Sequence, residues 1–131
     1  MEWEIVKIET NQKGRTMPYA SVGFGRMTLS SAACDLIKNC EMYSYVELLR
    51  GKENGKMVVG VRFIYESERT SNSIPIKRRK DNNGRYIKGI DISSKGAIES
   101  LFGMTGSANK ATRFEVKKDK DFENILIVSA E

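Results

Sequence analysis

Tyr45-Val46-Glu47-Leu48-Leu49-Arg50 runs into Gly51-Lys52-Glu53-Asn54-Gly55-Lys56 and returns as Met57-Val58-Val59-Gly60-Val61-Arg62-Phe63-Ile64-Tyr65. Two apolar, β-branched stretches around an Asn-Gly pair read as an antiparallel hairpin, since Asn and Gly accept the left-handed dihedrals of a two-residue turn. Upstream, Ser30-Ser31 precede Ala32, Ala33, Leu36 and Ile37. A serine ahead of apolar residues three and four apart opens a helix, its hydroxyl satisfying a free backbone N–H. That helix is predicted to end near Asn39. Before it, Val22, Phe24, Met27 and Leu29 predict one strand over 19–29, with Gly23 and Gly25 marking a bulge or a close backbone approach. Residues 3–8 predict an opening strand through Trp3, Ile5, Val6 and Ile8, and 11–18 a polar loop.

The same order then returns. Residues 66–73 are a polar link, and Pro75 predicts an edge or a strand start. Ile74, Ile76, the turn Asn82-Asn83-Gly84 and Tyr86-Ile87 predict a hairpin. Ile92-Ser93-Ser94 opens a second helix with Ala97, Ile98, Leu101 and Phe102 on one face and Gly103 at its end. A loop is expected over 106–110, then strands over 113–117 and 125–128 joined by Lys118-Asp119-Lys120-Asp121. Leu29-Ser30-Ser31 corresponds to Ile92-Ser93-Ser94 at an offset of 63, and Ala33, Cys34 and Ile37 to Ala97, Ile98 and Leu101 at 64. At an offset of 68, Val46-Glu47-Leu48 corresponds to Phe114-Glu115-Val116 and Met57-Val58-Val59 to Ile125-Leu126-Ile127.

The expected fold is therefore α+β, a single domain over 1–131. It has a mostly antiparallel, bent or barrel-like sheet, two short helices and an internal strand–helix–hairpin duplication whose halves are 19–65 and 76–128. At 131 residues the chain can bury roughly two-thirds of its unfolded surface and needs no disulfide or metal to fold. No apolar run approaches the ~20 residues of a membrane span. Met1-Glu2-Trp3-Glu4 is acidic where a secretory signal is basic, so the expected compartment is the cytoplasm. On one helix, Cys34 and Cys40 would diverge to different faces, so both are expected to be reduced and structural.

Absence of histidine removes the commonest general base and every imidazole triad. The serines lack a base at motif distance and are read as helix caps. Gly23-Phe24-Gly25 and Gly103-Met104-Thr105-Gly106 lack the rest of any phosphate loop. Glu41, Glu47, Asp91 and Glu115 are scattered, and the matching of Glu47 with Glu115 points to a structural role. A non-enzymatic protein without cofactor or metal is expected.

Charge supplies the candidate site. Residues 76–95 hold Lys77, Arg78, Arg79, Lys80, Arg85, Lys88 and Lys95 against Asp81 and Asp91, which equals the net +5 of the whole chain. On a strand, Lys77 and Arg79 face one side and Arg78 and Lys80 the other. The binding candidates are Lys77, Arg78, Arg79, Lys80, Arg85 and Lys88, with Arg26, beside Lys13 and Arg15, as a second basic surface. Two readings stay open: phosphate neutralisation, or a solvated hairpin whose charges protect an edge from aggregation.

Gly25-Arg26-Met27-Thr28-Leu29, the short helix and the strand Tyr45-Val46-Glu47-Leu48-Leu49 resemble the AbrB-type swapped-hairpin module. There two interlocked copies make one barrel-like body that often binds DNA through a basic face. The resemblance implies a pseudo-dimer in one chain. The usual Pro after the strand is Ser30 here, and Gly84-Arg85 lies too early in the second half. The chain also looks like uncharacterised bacterial and phage proteins with the same two-part layout. The expected partner is nucleic acid, through a DNA-associated or regulatory role. The alternative is an acidic or nucleic-acid-binding protein, met by a phage-encoded inhibitor in the host cytoplasm. A monomer or weak dimer is expected, with no membrane partner.

Overall fold

The computed structural model describes residues 2–4, 17–80 and 82–130, without the side chains of Arg79, Tyr86, Ile87 and Lys88. Trp3 lies outside any strand and is exposed, whereas Ile5, Val6, Ile8, Lys13, Arg15 and Asp81 fall outside the described residues.

The stretch 19–29 is not one bulged strand but a hairpin, β1 (Tyr19–Gly23) and β2 (Arg26–Leu29). Phe24 and Gly25 both have positive φ, 55° and 72°, and together form a two-residue turn. Ser30 then caps α1 (Ser31–Asp35), its Oγ accepting from Ala33 N and Tyr19 N, each at 3.1 Å. The helix stops short of the expected Asn39. Leu36 and Ile37 donate to the carbonyls three residues back, and Asn39 turns left-handed at φ 55°. A 3₁₀ turn, Cys40–Met42, leads into β3 (Tyr45–Glu53), and the Asn54-Gly55 turn into β4 (Lys56–Ile64). After a 3₁₀ turn (Glu66–Glu68) come β5 (Ile74–Lys80) and β6 (Tyr86–Ser93), the expected basic hairpin. The helix α2 (Lys95–Phe102) ends at Gly103, φ 60°. A third helix, α3 (Met104–Ser107), occupies part of the expected loop. The strands β7 (Thr112–Lys118) and β8 (Ile125–Ser129) finish the fold.

All eight strands close into an antiparallel barrel in the order β1-β2-β6-β5-β3-β4-β8-β7. Exchanging each strand with the one four places later leaves that order unchanged, and each half is a hairpin, a helical segment and a second hairpin, not the strand–helix–hairpin unit expected. Only the β1–β2, β3–β4, β5–β6 and β7–β8 ladders are internal to a half; the other four join the halves. Where β2 meets β6, Thr28 lies opposite Asp91 and its hydroxyl donates to Asp91 Oδ1 at 2.6 Å. The hairpin tips also cross over. Phe24 N and Gly25 N donate to Ala108 O (3.0 Å) and Gly106 O (2.8 Å), while α1 packs against β6.

One correspondence needs correction. Leu48 pairs with Val61 and Val116 with Val128, so the offset is 68 on β3 and β7 but 67 on β4 and β8. The offset is not constant across the hairpin. The two-residue turn Asn54-Gly55 is matched by a longer connection in which Asp119 N donates to Ile125 O. A one-residue shift flips the face, which is why Val59 is fully buried and Ile127 is not.

Inward positions alternate as a half-solvated sheet requires: Val59, Val61 and Phe63 are buried, whereas Val58, Gly60 and Arg62 are partly exposed. Met27, Leu29, Ile90, Ile92, Leu126 and Val128 complete the interior, and Cys34, Ile37 and Ile98 pack against it from the helical segments. Among the described residues, no helix is long and apolar enough to cross a membrane.

Candidate nucleic-acid interface

The seven cations of 76–95 are divided in space. Lys77 points outward from β5 and lies across from Asp91. Arg78 turns the other way. Its Nη2 donates to Cys40 O at 2.9 Å and to Tyr43 O at 2.8 Å, and the residue is half-buried. The surface position expected for Arg78 is thus corrected: it fastens the hairpin to the 3₁₀ turn after α1. Simple alternation would then put Lys80 inside as well, but the β5–β6 register shifts between Arg78 and Lys80, and Lys80 is exposed. Arg85 is exposed at the tip, and both Lys80 and Arg85 make interactions within the chain. The side chains of Arg79 and Lys88 lie outside the described residues. The hairpin therefore gathers Lys77, Lys80 and Arg85 at its surface.

Lys95 and Arg26 belong elsewhere, at the opposite end of the β2–β6 ladder, where Arg26 pairs with Ser93. Lys13 and Arg15, the expected companions of Arg26, are outside the described residues. The guanidinium of Arg26 sits 5.8 Å from the centroid of the Phe24 ring.

The anchor of Arg78 is a small buried cluster. With α1 ending at Asp35, the chain curls back and the two cysteines come together, not onto the divergent faces expected of one helix. Both are free and essentially inaccessible. The Cys34 thiol, hydrogen-bonded to Cys40, lowers the Cys40 pKa to about 7, with Arg78 acting in the same direction against burial. The same contact, together with burial, raises that of Cys34. Tyr43 stacks on Tyr65 with centroids 4.7 Å apart and meets Phe63 edge-on at 5.9 Å. Burial, then the contact with Tyr65, raises the Tyr43 phenol.

Ser30 caps α1, while the Ser94 side chain makes no cap hydrogen bond to α2. Glu47 Oε1 accepts from Arg62 Nη2 at 2.5 Å across β3 and β4. Among the described residues, no group of three metal-ligating side chains is placed to hold an ion. Sequence reasoning passed over Phe24, Lys110 and Arg113. Reading Phe24-Gly25 as a turn between two short strands would have exposed the first.

Comparison with protein-family models, curated proteins and solved structures returned no match.

Proposed function

We propose that this protein binds nucleic acid without catalysing a reaction, its β5–β6 hairpin laying Lys77, Lys80 and Arg85 along phosphates. The observation that carries the reading is the division of labour on β5. Arg78 fixes the hairpin stem to two backbone carbonyls, and its neighbours Lys77 and Lys80 are at the surface of the strand it anchors. A pre-positioned cation loses less freedom on meeting a phosphate than one on a loose loop. Lys80 and Arg85 already interact within the chain, so phosphate would compete with those contacts. The resemblance of Gly25-Arg26-Met27-Thr28-Leu29 and the following helix and strand to the AbrB-type module supports the same reading, in a chain proposed to act as a monomer or weak dimer in the cytoplasm.

Fluorescence anisotropy with duplex and single-stranded oligonucleotides tests this. Three to five phosphate contacts predict a loss of affinity of roughly 40- to 500-fold between 50 and 200 mM salt. A Lys77→Gln/Lys80→Gln/Arg85→Gln variant should lose duplex binding and still unfold cooperatively, with a melting temperature a few degrees lower at most, because Lys77 lies across from Asp91 and the other two have contacts within the chain. No binding up to tens of micromolar at 150 mM salt would overturn the proposal.

One observation favours a protein partner instead. Leu49, Val58, Phe122, Ile125 and Ile127, together with the charged Arg50, Lys52, Glu53 and Asp119, line a shallow groove of about 300 Å³ on the outer wall, and Phe122 is 57% exposed. In that reading the protein is an inhibitor or scaffold, such as a phage-encoded one. A stoichiometric partner recovered from the native cell, with no oligonucleotide binding, would favour it.

A further inference from the structure

Two of the barrel's hairpins turn through the same geometry on different residues. In the β3–β4 turn, Asn54 and Gly55 have φ of 53° and 80°; in the β1–β2 turn, Phe24 and Gly25 have 55° and 72°. Asn-Gly is the sequence this turn prefers, because asparagine tolerates the left-handed region and its amide bonds locally. A bulky aromatic there is an outlier. Burial does not offset the conflict, since Phe24 is 56% exposed. A residue that opposes its own turn and leaves its ring in water points to a use for that ring.

The surroundings indicate what would meet it. Three chain segments build this end of the barrel: 19–30, 93–98 and 103–113. They carry Arg26, Lys95, Lys110 and Arg113. All four cations are exposed. Arg26 lies beside the Phe24 ring, and the Lys95 stem lies over the turn, 3.2 Å from where a Cβ on Gly25 would stand. The backbone of Lys110 abuts Gly23. Arg113, opposite Ser21, covers the Tyr19 ring at 4.2 Å. On the outer face of β1 between the two rings, Ser21 is half-buried and Gly23 is covered by the backbone of Lys110 and Ala111, so the open surface is the Phe24 ring and the cations around it. Carboxylates border it: Glu99 follows Lys95 by one helical turn on α2, and Asp91 and Glu115 lie farther along the strands. Asp91 is already bonded by Thr28, and Glu115 stands opposite Tyr19.

We propose that the β1–β2 tip is a binding site for single-stranded nucleic acid, with a base stacked on Phe24 and the phosphates led by Arg26, Lys95, Lys110 and Arg113. An exposed aromatic flanked by several exposed cations is the combination that single strands need, a stacking surface and a neutralising track. A duplex keeps its bases stacked inside and has no use for the ring. The site shares a ligand class with the function proposed for β5–β6 but none of its residues, and either can hold without the other.

The test replaces Phe24 by the residue the turn prefers. Phe24→Asn recreates the Asn-Gly turn, so its melting temperature should equal or exceed that of the parent protein. Its affinity for a labelled oligo-dT or oligo-U of about 15 nucleotides should fall roughly five- to 150-fold, the range for loss of one base–aromatic stack. Duplex affinity should change less than threefold, and Phe24→Tyr should retain single-strand binding. Lys110→Glu should weaken single-strand binding and flatten its salt dependence while leaving the aromatic in place. The proposal is overturned if Phe24→Asn binds oligo-dT and oligo-U like the parent, or if the parent binds duplex only. It is equally overturned if a poly-glutamate peptide competes as well as the oligonucleotide, since the face would then select only negative charge. If neither single strand nor duplex binds, this site and the β5–β6 reading fall together.

Discussion

Arg78 is where charge reading and structure part, and its removal has a calculable consequence. One guanidinium nitrogen donates to both Cys40 O and Tyr43 O, at 2.9 and 2.8 Å. Arg78→Met keeps the aliphatic stem and deletes both bonds. Hydrogen bonds to charged groups contribute about 1.5–3 kcal/mol each, and a carbonyl left without a partner adds a desolvation penalty. Allowing for partial solvent access to the site, the loss should be about 2–4 kcal/mol. An unfolding entropy near 2.1 cal/mol/K per residue makes that a fall in melting temperature of roughly 7–15 °C. Circular dichroism melts measure it directly. Arg78→Lys should recover only part, because an ammonium on a flexible stem lacks the guanidinium's rigid fork. Lys77→Met, one residue away on the outer face, should shift the melt by less than about 2 °C. An Arg78→Met melt within 2 °C of the parent would refute the anchoring role and return Arg78 to the surface set.

Gly23→Ala should destabilise by roughly 1–3 kcal/mol, since the new Cβ would lie 2.4 Å from Lys110 O, a backbone atom that cannot step aside cheaply; a neutral result in a denaturant titration would contradict the close approach of β1 to the 108–111 segment. Residues 1–68 and 69–131 expressed separately should not fold, because four of the eight strand ladders join the halves; a cooperative melt of either fragment alone would contradict interlocking.

The fold was legible where local chemistry and topology agreed. Asn54-Gly55, the β-branched strands around it and the return of the Ser-Ser helix starts were enough to expect a duplicated, barrel-like antiparallel sheet, and the barrel has eight antiparallel strands. The misses have physical causes. The first helix was expected to continue because Leu36 and Ile37 keep a helical spacing, but that spacing is equally met by a tightened turn that Asn39 ends. The hairpin over 19–29 was hidden because Phe24 occupies a position where Asn or Gly would have signalled a turn. The one-residue slip between β4 and β8 was invisible because Met57-Val58-Val59 and Ile125-Leu126-Ile127 are apolar at every position and give no alternation to fix the face.

The basic run was legible as charge but not as a surface, because sequence adjacency does not say which cations share a side. On β5 a register shift places Lys80 outside and leaves Arg78 to hold the backbone. The patch around Phe24 shows the converse, with four cations drawn from three segments that no window of sequence joins. Folding assembled that patch through the crossover in which the β1–β2 turn donates to the carbonyls of Gly106 and Ala108. The two turns with one geometry make the point sharpest. Asn54-Gly55 is what the fold prefers, so it reveals the turn and says nothing of use. Phe24-Gly25 opposes the fold's preference, and that conflict conceals the turn from a sequence reading. In the structure the same conflict is the observation on which the proposed stacking role of Phe24 rests.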